Sequence, residues 1–256
     1  MKGKVLLSSM ILAAVCSAML SSCGSAYKEQ PFGGMNGKVQ TAKVWHIMPE
    51  VWHANNRGTD VMEINTSVYD IYGNEIYSAG LGSAQRIKTE AENMFENSVC
   101  TRSTLRSGGR VVAKISLISN DKGRLEYNKE VNGRIVRMTV KQTSFLRRHK
   151  SVVTEDGKVT TVRVIKTDAD GYPVRITTTE PQTGRKILVT NIFDENHNVI
   201  ETRMHTNIGE DGKEEDQIIY SKYEEVDEHG NWTNCRTFNK HHLPVEVLVR
   251  ELEYWE

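Results

Sequence analysis

The sequence predicts an all-β protein: an antiparallel β-meander of consecutive hairpins, forming an open twisted sheet or a partly closed, rolled one. Three observations lead there. Turn centres at Gly157, Gly171, Gly184, His197 and Gly212 fall 13 to 15 residues apart, which leaves room for one strand between each pair. The stretches between them alternate, with Tyr172, Val174 and Ile176 on one face, and with Ile200, Met204 and Ile208 opposite Glu201, Arg203 and His205. Runs such as Thr177-Thr178-Thr179 and Val152-Val153-Thr154 are poor helix material, because two heavy atoms on Cβ crowd the preceding helical turn.

The chain opens with Lys2 and Lys4, then an apolar run from Val5 to Leu20, and no acid precedes Glu29. The densest part, Met10 to Leu20, is shorter than the roughly 20 residues a transmembrane helix needs. Basic start, short apolar core and small residues at its end read as a secretory signal over residues 1–22. Its last residues, Leu20-Ser21-Ser22-Cys23-Gly24, resemble the lipobox of bacterial lipoproteins. The resemblance implies a diacylglycerol on the Cys23 sulfur and cleavage before it. Two chains suffice for stable anchoring, at about 0.8 kcal/mol per buried CH₂. The alternatives are an ordinary signal cut near Ser25-Ala26, or an uncleaved anchor. Residues 23–38, with four glycines, Ser25 and Pro31, read as a flexible tether. A β-rich domain then spans 39–256, as one unit or as halves 39–150 and 151–256.

Without the leader the chain carries 31 cations against 33 anions. A balance this even gives no field to steer nucleic acid or an anionic surface. Cys100 and Cys235 are the only thiols after Cys23. In an exported protein they either form one bridge or remain two buried thiols.

Val61 to Tyr77 reads as two strands around Asp70-Ile71-Tyr72-Gly73-Asn74. Gln85 to Val99 is either a helix or an extended arm leading into a strand from Asn93 to Leu105, and strand is the preferred reading. Gly108-Gly109 turns the chain into a strand over Val111–Ile118, and Val245, Val247 and Val249 alternate near the end. Further turn signals stand at Asn132-Gly133, Asp211-Gly212 and His229-Gly230-Asn231.

One pattern recurs: Asp70-x-x-Gly73-Asn74, Asp168-x-x-Gly171-Tyr172, Asp194-x-x-His197-Asn198 and Asp227-x-x-Gly230-Asn231. An Asp at the first corner can accept from backbone N–H groups two residues on, and a Gly in the fourth slot supplies positive φ. The fullest copy, Tyr223-x-x-x-Asp227-x-x-Gly230-Asn231-Trp232, resembles the YD/RHS-like repeats of bacterial surface proteins, especially lipoproteins of Bacteroidota. The resemblance implies hairpin architecture and says little about activity. There are too few copies for the closed shells that long RHS arrays build.

No catalytic constellation stands out. The glycines of 78–83 lack the Lys-Ser/Thr of a phosphate loop, and no Gly-x-Ser-x-Gly occurs. His46, His53, His241 and His242 lack zinc spacing, and Asp168-Ala169-Asp170-Gly171 is only a fragment of a calcium loop. Acids at 214–216 and 224–228 flank turns, and Trp45, Trp52, Trp232 and Trp255 are the candidates for sugar stacking. The expectation is a lipid-anchored protein of the cell envelope, at the outer membrane, without cofactor, metal or nucleic-acid partner. It would act as a non-catalytic binding or structural module for an envelope protein or glycan. The rival is an envelope carbohydrate-active hydrolase with a carboxylate pair. A third reading is a subunit of outer-membrane assembly or surface export.

Overall fold

The computed structural model describes residues 35–49, 61–82, 87–209 and 212–256. The leader with Cys23, and also Trp52, His53 and Asp211, lie outside the described residues. Among the described residues sixteen strands follow in chain order: β1 (Val39–Ile47), β2 (Val61–Tyr69), β3 (Glu75–Gly82), β4 (Ile87–Glu96), β5 (Val99–Ser107), β6 (Arg110–Asp121), β7 (Arg124–Val131) and β8 (Arg134–Phe145) form the first half. The second half is β9 (Arg148–Glu155), β10 (Lys158–Thr167), β11 (Pro173–Glu180), β12 (Arg185–Phe193), β13 (Val199–Thr206), β14 (Glu215–Val226), β15 (Trp232–Asn239) and β16 (Pro244–Tyr254).

Each strand pairs antiparallel with its neighbours in sequence, and β1 pairs with β16 to close a barrel. The seam runs from Val39 opposite Tyr254 to Ile47 opposite Val247. Closure corrects the expectation of an open or partly closed sheet. It also removes the free edges at which a partner strand could add, because closure alone pairs every strand on both sides.

The turns explain the short connections. Asn132-Gly133 and Asp156-Gly157 each place two consecutive residues at positive φ, which matches the right-handed twist of the flanking strands. Asn97 and Ser98 do the same without glycine, at φ 51° and 60°. They divide the stretch expected as one strand from Asn93 to Leu105 into the ends of β4 and β5.

Register sorts the side chains into two faces. Ala91 stands opposite Leu105, Tyr127 opposite Met138, and Val140 opposite Val153. With Cys100, Ile115 and Leu125 they form one cluster, all at most 6% exposed, on the inner face of β4–β9. The intervening positions point outward and carry charge: Lys114, Arg137, Lys150, Lys166, Arg203 and Lys222 are all exposed. Ion pairs bind this outer face across strands, as in Arg106 with Glu90 and Glu92 and Arg137 with Glu126, and along β7 in Arg124 with Glu126.

Around the seam the polarity reverses. On β16, Glu246, Leu248 and Arg250 share the inner face, whereas Val245, Val247 and Val249 point outward. Trp45, opposite both Val249 and Ile64, is the centre of a small outward apolar patch in which Ile47, Ile64 and Val247 are buried.

Candidate functional site

The chain enters β1 at one rim of the barrel. Because the strands alternate in direction, that N-terminal rim also holds the end of β16 and the seven turns after β2, β4, β6, β8, β10, β12 and β14. All four Asp-x-x-Gly/His segments therefore lie on one rim.

They share one geometry. In each, the Asp Oδ1 accepts from the backbone N–H groups two and four residues on, at 2.8–3.0 Å. The Asp N–H donates back to the carbonyl of the fifth residue. The fourth slot has positive φ in every copy: Gly73, Gly171, His197 and Gly230. A fifth copy, Asn239 to Leu243, has the same bonds on the opposite rim. The sequence reading missed it because Asn replaces Asp and His242, at φ 57°, replaces glycine.

The fifth residue sets what each copy does. Asn74 and Asn198 fold back, donating to the Oδ2 of Asp70 and Asp194. Asn231 instead reaches across the seam. Its Oδ1 accepts from the Asn36 N–H at 2.7 Å, and its Nδ2 donates to the Asn36 carbonyl at 2.9 Å and to the Tyr254 hydroxyl at 2.8 Å. The freed Asp227 Oδ2 accepts a short bond from the Tyr254 hydroxyl. The Trp255 N–H donates to the Lys38 carbonyl at 2.8 Å. This turn thus ties together the entry into β1 and the exit from β16.

The latch is polar but sheltered. Burial alone would push the Asp227 carboxyl up, yet the Tyr254 hydroxyl and the N–H groups of Asn231 and His229 outweigh it and hold the group below the usual aspartate range. Burial and the neighbouring carboxylate push Tyr254 up to about 12. Below them the Arg250 guanidinium lies 3.9 Å from the Trp232 ring centre and its Nε donates to the Trp232 carbonyl. Burial lowers Arg250 to about 10.

A second polar group lines the interior near the seam. His46 Nδ1 is 2.6 Å from Glu246 Oε1, and Asn65 Nδ2 donates to His46 Nε2 at 2.9 Å. This assigns the imidazole proton to Nδ1. Glu63, opposite His46, is buried and 3.6 Å from the Lys88 ammonium. Gly80 leaves room here: a Cβ on it would meet Asn65 Oδ1, Glu63 Oε1 and Thr89 Oγ1 at 3.3 Å each. Both imidazole nitrogens are engaged, so His46 has no free lone pair with which to activate a nucleophile or ligate a metal. Nothing in the sequence signalled this row, whose members are up to 200 positions apart.

The other expected residues scatter. Cys100 and Cys235 are thiols, not a bridge. They lie on β5 and β15, with five strands between them around the seam, and a disulfide needs Cα atoms within about 7 Å. Burial pushes the Cys235 thiol up to about 12. Trp45 faces outward under Lys43, Trp232 lies beneath Arg250, and Trp255 packs with Val39, Ala42 and Tyr69, so these three form no single stacking surface. His241 and His242 are exposed on the turn after β15. Asp168, Asp170 and His197 approach one another within 4.8 Å, with Asp170 and His197 exposed and His197 stacked on Tyr172. Exposed acids gather at turns for solvation alone, and this trio has no buried donor among its members.

No family model matches the sequence, and no curated protein matches it. Among solved structures, the chain is similar to a porin-like protein from Bacteroides uniformis, with a TM-score of 0.46 and 9% identity, covering 85% of this chain and 98% of that one.

Proposed function

We propose that this chain is a lipid-anchored barrel of the bacterial cell envelope whose body stays in water and serves as a non-catalytic binding or structural module. The observation that carries the reading is the charged outer face. A barrel that crosses a bilayer needs an outward apolar band about 25 Å tall, and an outward Lys or Arg at the midplane costs roughly 2–4 kcal/mol. Here exposed cations occur on strands throughout β6–β14. Such a wall does not hold itself in hydrocarbon. The Leu20-Ser21-Ser22-Cys23 segment, which precedes β1 in the sequence, supplies the missing attachment.

The test is fractionation of cells producing the wild-type chain or Cys23→Ala. The expected result is a diacylglycerol-bearing amino terminus in the wild type and loss of normal processing in the variant. Equal processing and equal membrane retention of the two would overturn the reading. A panel of glycosides and esters turned over by the purified chain would overturn the non-catalytic part.

A further inference from the structure

The N-terminal rim is divided into two arcs of opposite character. Two turns that bound one arc, those after β2 and β8, have large exposed apolar side chains at their tips, Ile71 and Tyr72 in one and Phe145 and Leu146 in the other, and between them Met94 and Ile118 are exposed on the wall within β4 and β6. Phe145 and Leu146 are 76% and 83% exposed, and Leu146 sits at φ 51°, a conformation that a leucine adopts at a cost. Folding does not call for such a residue there; glycine would serve the turn better. Arg147 and Arg148 follow directly and Lys122 stands on the neighbouring tip, balanced along this arc by Asp70, Glu96 and Asp121. The three remaining turns, after β10, β12 and β14, bear Asp168, Asp170, Asp194, Glu195, Asp227 and Glu228.

We propose that the apolar arc rests on a lipid surface, with Tyr72, Phe145 and Leu146 in the headgroup region and Arg147 and Arg148 on anionic headgroups. The inference rests on the lipid anchor proposed above. Three features select a bilayer as the occupant. The chain arriving from Cys23 enters β1 on this rim, beside the β2–β3 turn that begins the arc. Exposed aromatic and leucine tips flanked by arginines match the chemistry of the membrane interface. The other half of the rim bears six acids and no Lys or Arg in its turns, so an anionic surface repels it and the barrel leans onto the apolar arc. Beneath the apolar arc the inner face is the buried apolar cluster of β4–β9, a packed base for the tips.

The experiment uses the full chain, purified with its native amino terminus and placed in phosphatidylethanolamine vesicles containing phosphatidylglycerol. A fluorophore is attached at Leu146→Cys, or at Asn132→Cys on the opposite rim; the buried native thiols do not compete. Quenching by doxyl-labelled lipid is expected to be at least about twofold stronger at 146 than at 132, and to weaken when Arg147 and Arg148 are replaced by Ser. Equal quenching at both positions, with the protein still bound to vesicles, overturns the proposal. Intact mass reads the anchor separately. If no diacylglycerol is present, the anchor reading fails, and the same label titrated with added vesicles still decides whether the arc meets lipid. With the fluorophore moved to Lys122→Cys on the neighbouring tip, Leu146→Gly, which relieves the turn, is expected to weaken the quenching while melting no lower than the parent.

Discussion

Asn231 grips the backbone of Asn36 with both atoms of its amide, accepting from the N–H at 2.7 Å and donating to the carbonyl at 2.9 Å. The two residues are 195 positions apart, and the pair fastens the seam where the first and last strands meet. Asn198, in the same slot of a sister turn, donates only to its own Asp194.

That difference predicts a difference in stability. Asn231 is buried, and its removal would leave the Asn36 N–H and carbonyl without these partners. Asn231→Ala is expected to cost about 1–3 kcal/mol in urea unfolding, and Asn198→Ala clearly less. Equal losses would mean that the seam contact adds nothing.

The latch also has a pH dependence. The Asp227 carboxyl titrates lower in the fold than in the unfolded chain. Its contribution is present above the ordinary aspartate value of 3.8 and disappears as pH falls through the lower folded value. Melting temperature against pH is therefore expected to fall less steeply at the acid end in Asp227→Asn than in the parent. Tyr254 titrates higher in the fold, so its contribution is present below pH 10 and lost as pH rises toward about 12. Tyr254→Phe is expected to flatten that alkaline limb.

Inward and outward positions along one strand should respond differently. Met138 is 1% exposed within the inner cluster, and Lys141 on the same strand is exposed outward. Met138→Ala is expected to destabilise by about 2–5 kcal/mol and Lys141→Ala by no more than about 0.5 kcal/mol. The reverse order, read by thermal or urea unfolding, would mean that the two faces have been exchanged.

The two buried thiols should be inert. Thiolate is the reactive form, and burial suppresses it at Cys235. Iodoacetamide is expected to leave Cys100 and Cys235 unmodified in the folded chain and to modify both after denaturation. A shift in electrophoretic mobility on reduction would contradict the structure.

Local chemistry was the legible part of the fold. Asp156-Gly157 and Asn132-Gly133 announce hairpins because glycine meets the positive φ that those turns need. Turns that place Asn97, Ser98 or Leu146 at positive φ give no such signal, and the strands around them were merged or passed over. The alternation of Val245, Val247 and Val249 was visible, but it could not say that valine points outward while Glu246 and Arg250 line the interior. That polarity depends on what lies across the barrel. Closure was hidden for a similar reason: β1 and β16 pair across nearly the whole chain, and no local pattern marks the partner of a terminal strand. The Asp turns were readable as turns, yet only the fold distinguishes Asn231, which clamps the seam, from Asn74 and Asn198, which do not.

The most direct test is to export residues 24–256 behind an ordinary cleavable signal peptide, so that the barrel matures without lipid. A body with a charged outer wall is expected to be recovered folded and monodisperse in detergent-free buffer, with β-rich circular dichroism and a cooperative melt. Recovery only in the membrane fraction, resistant to alkaline carbonate and released as a folded barrel by detergent alone, would mean that the wall itself spans the bilayer, and would contradict the account.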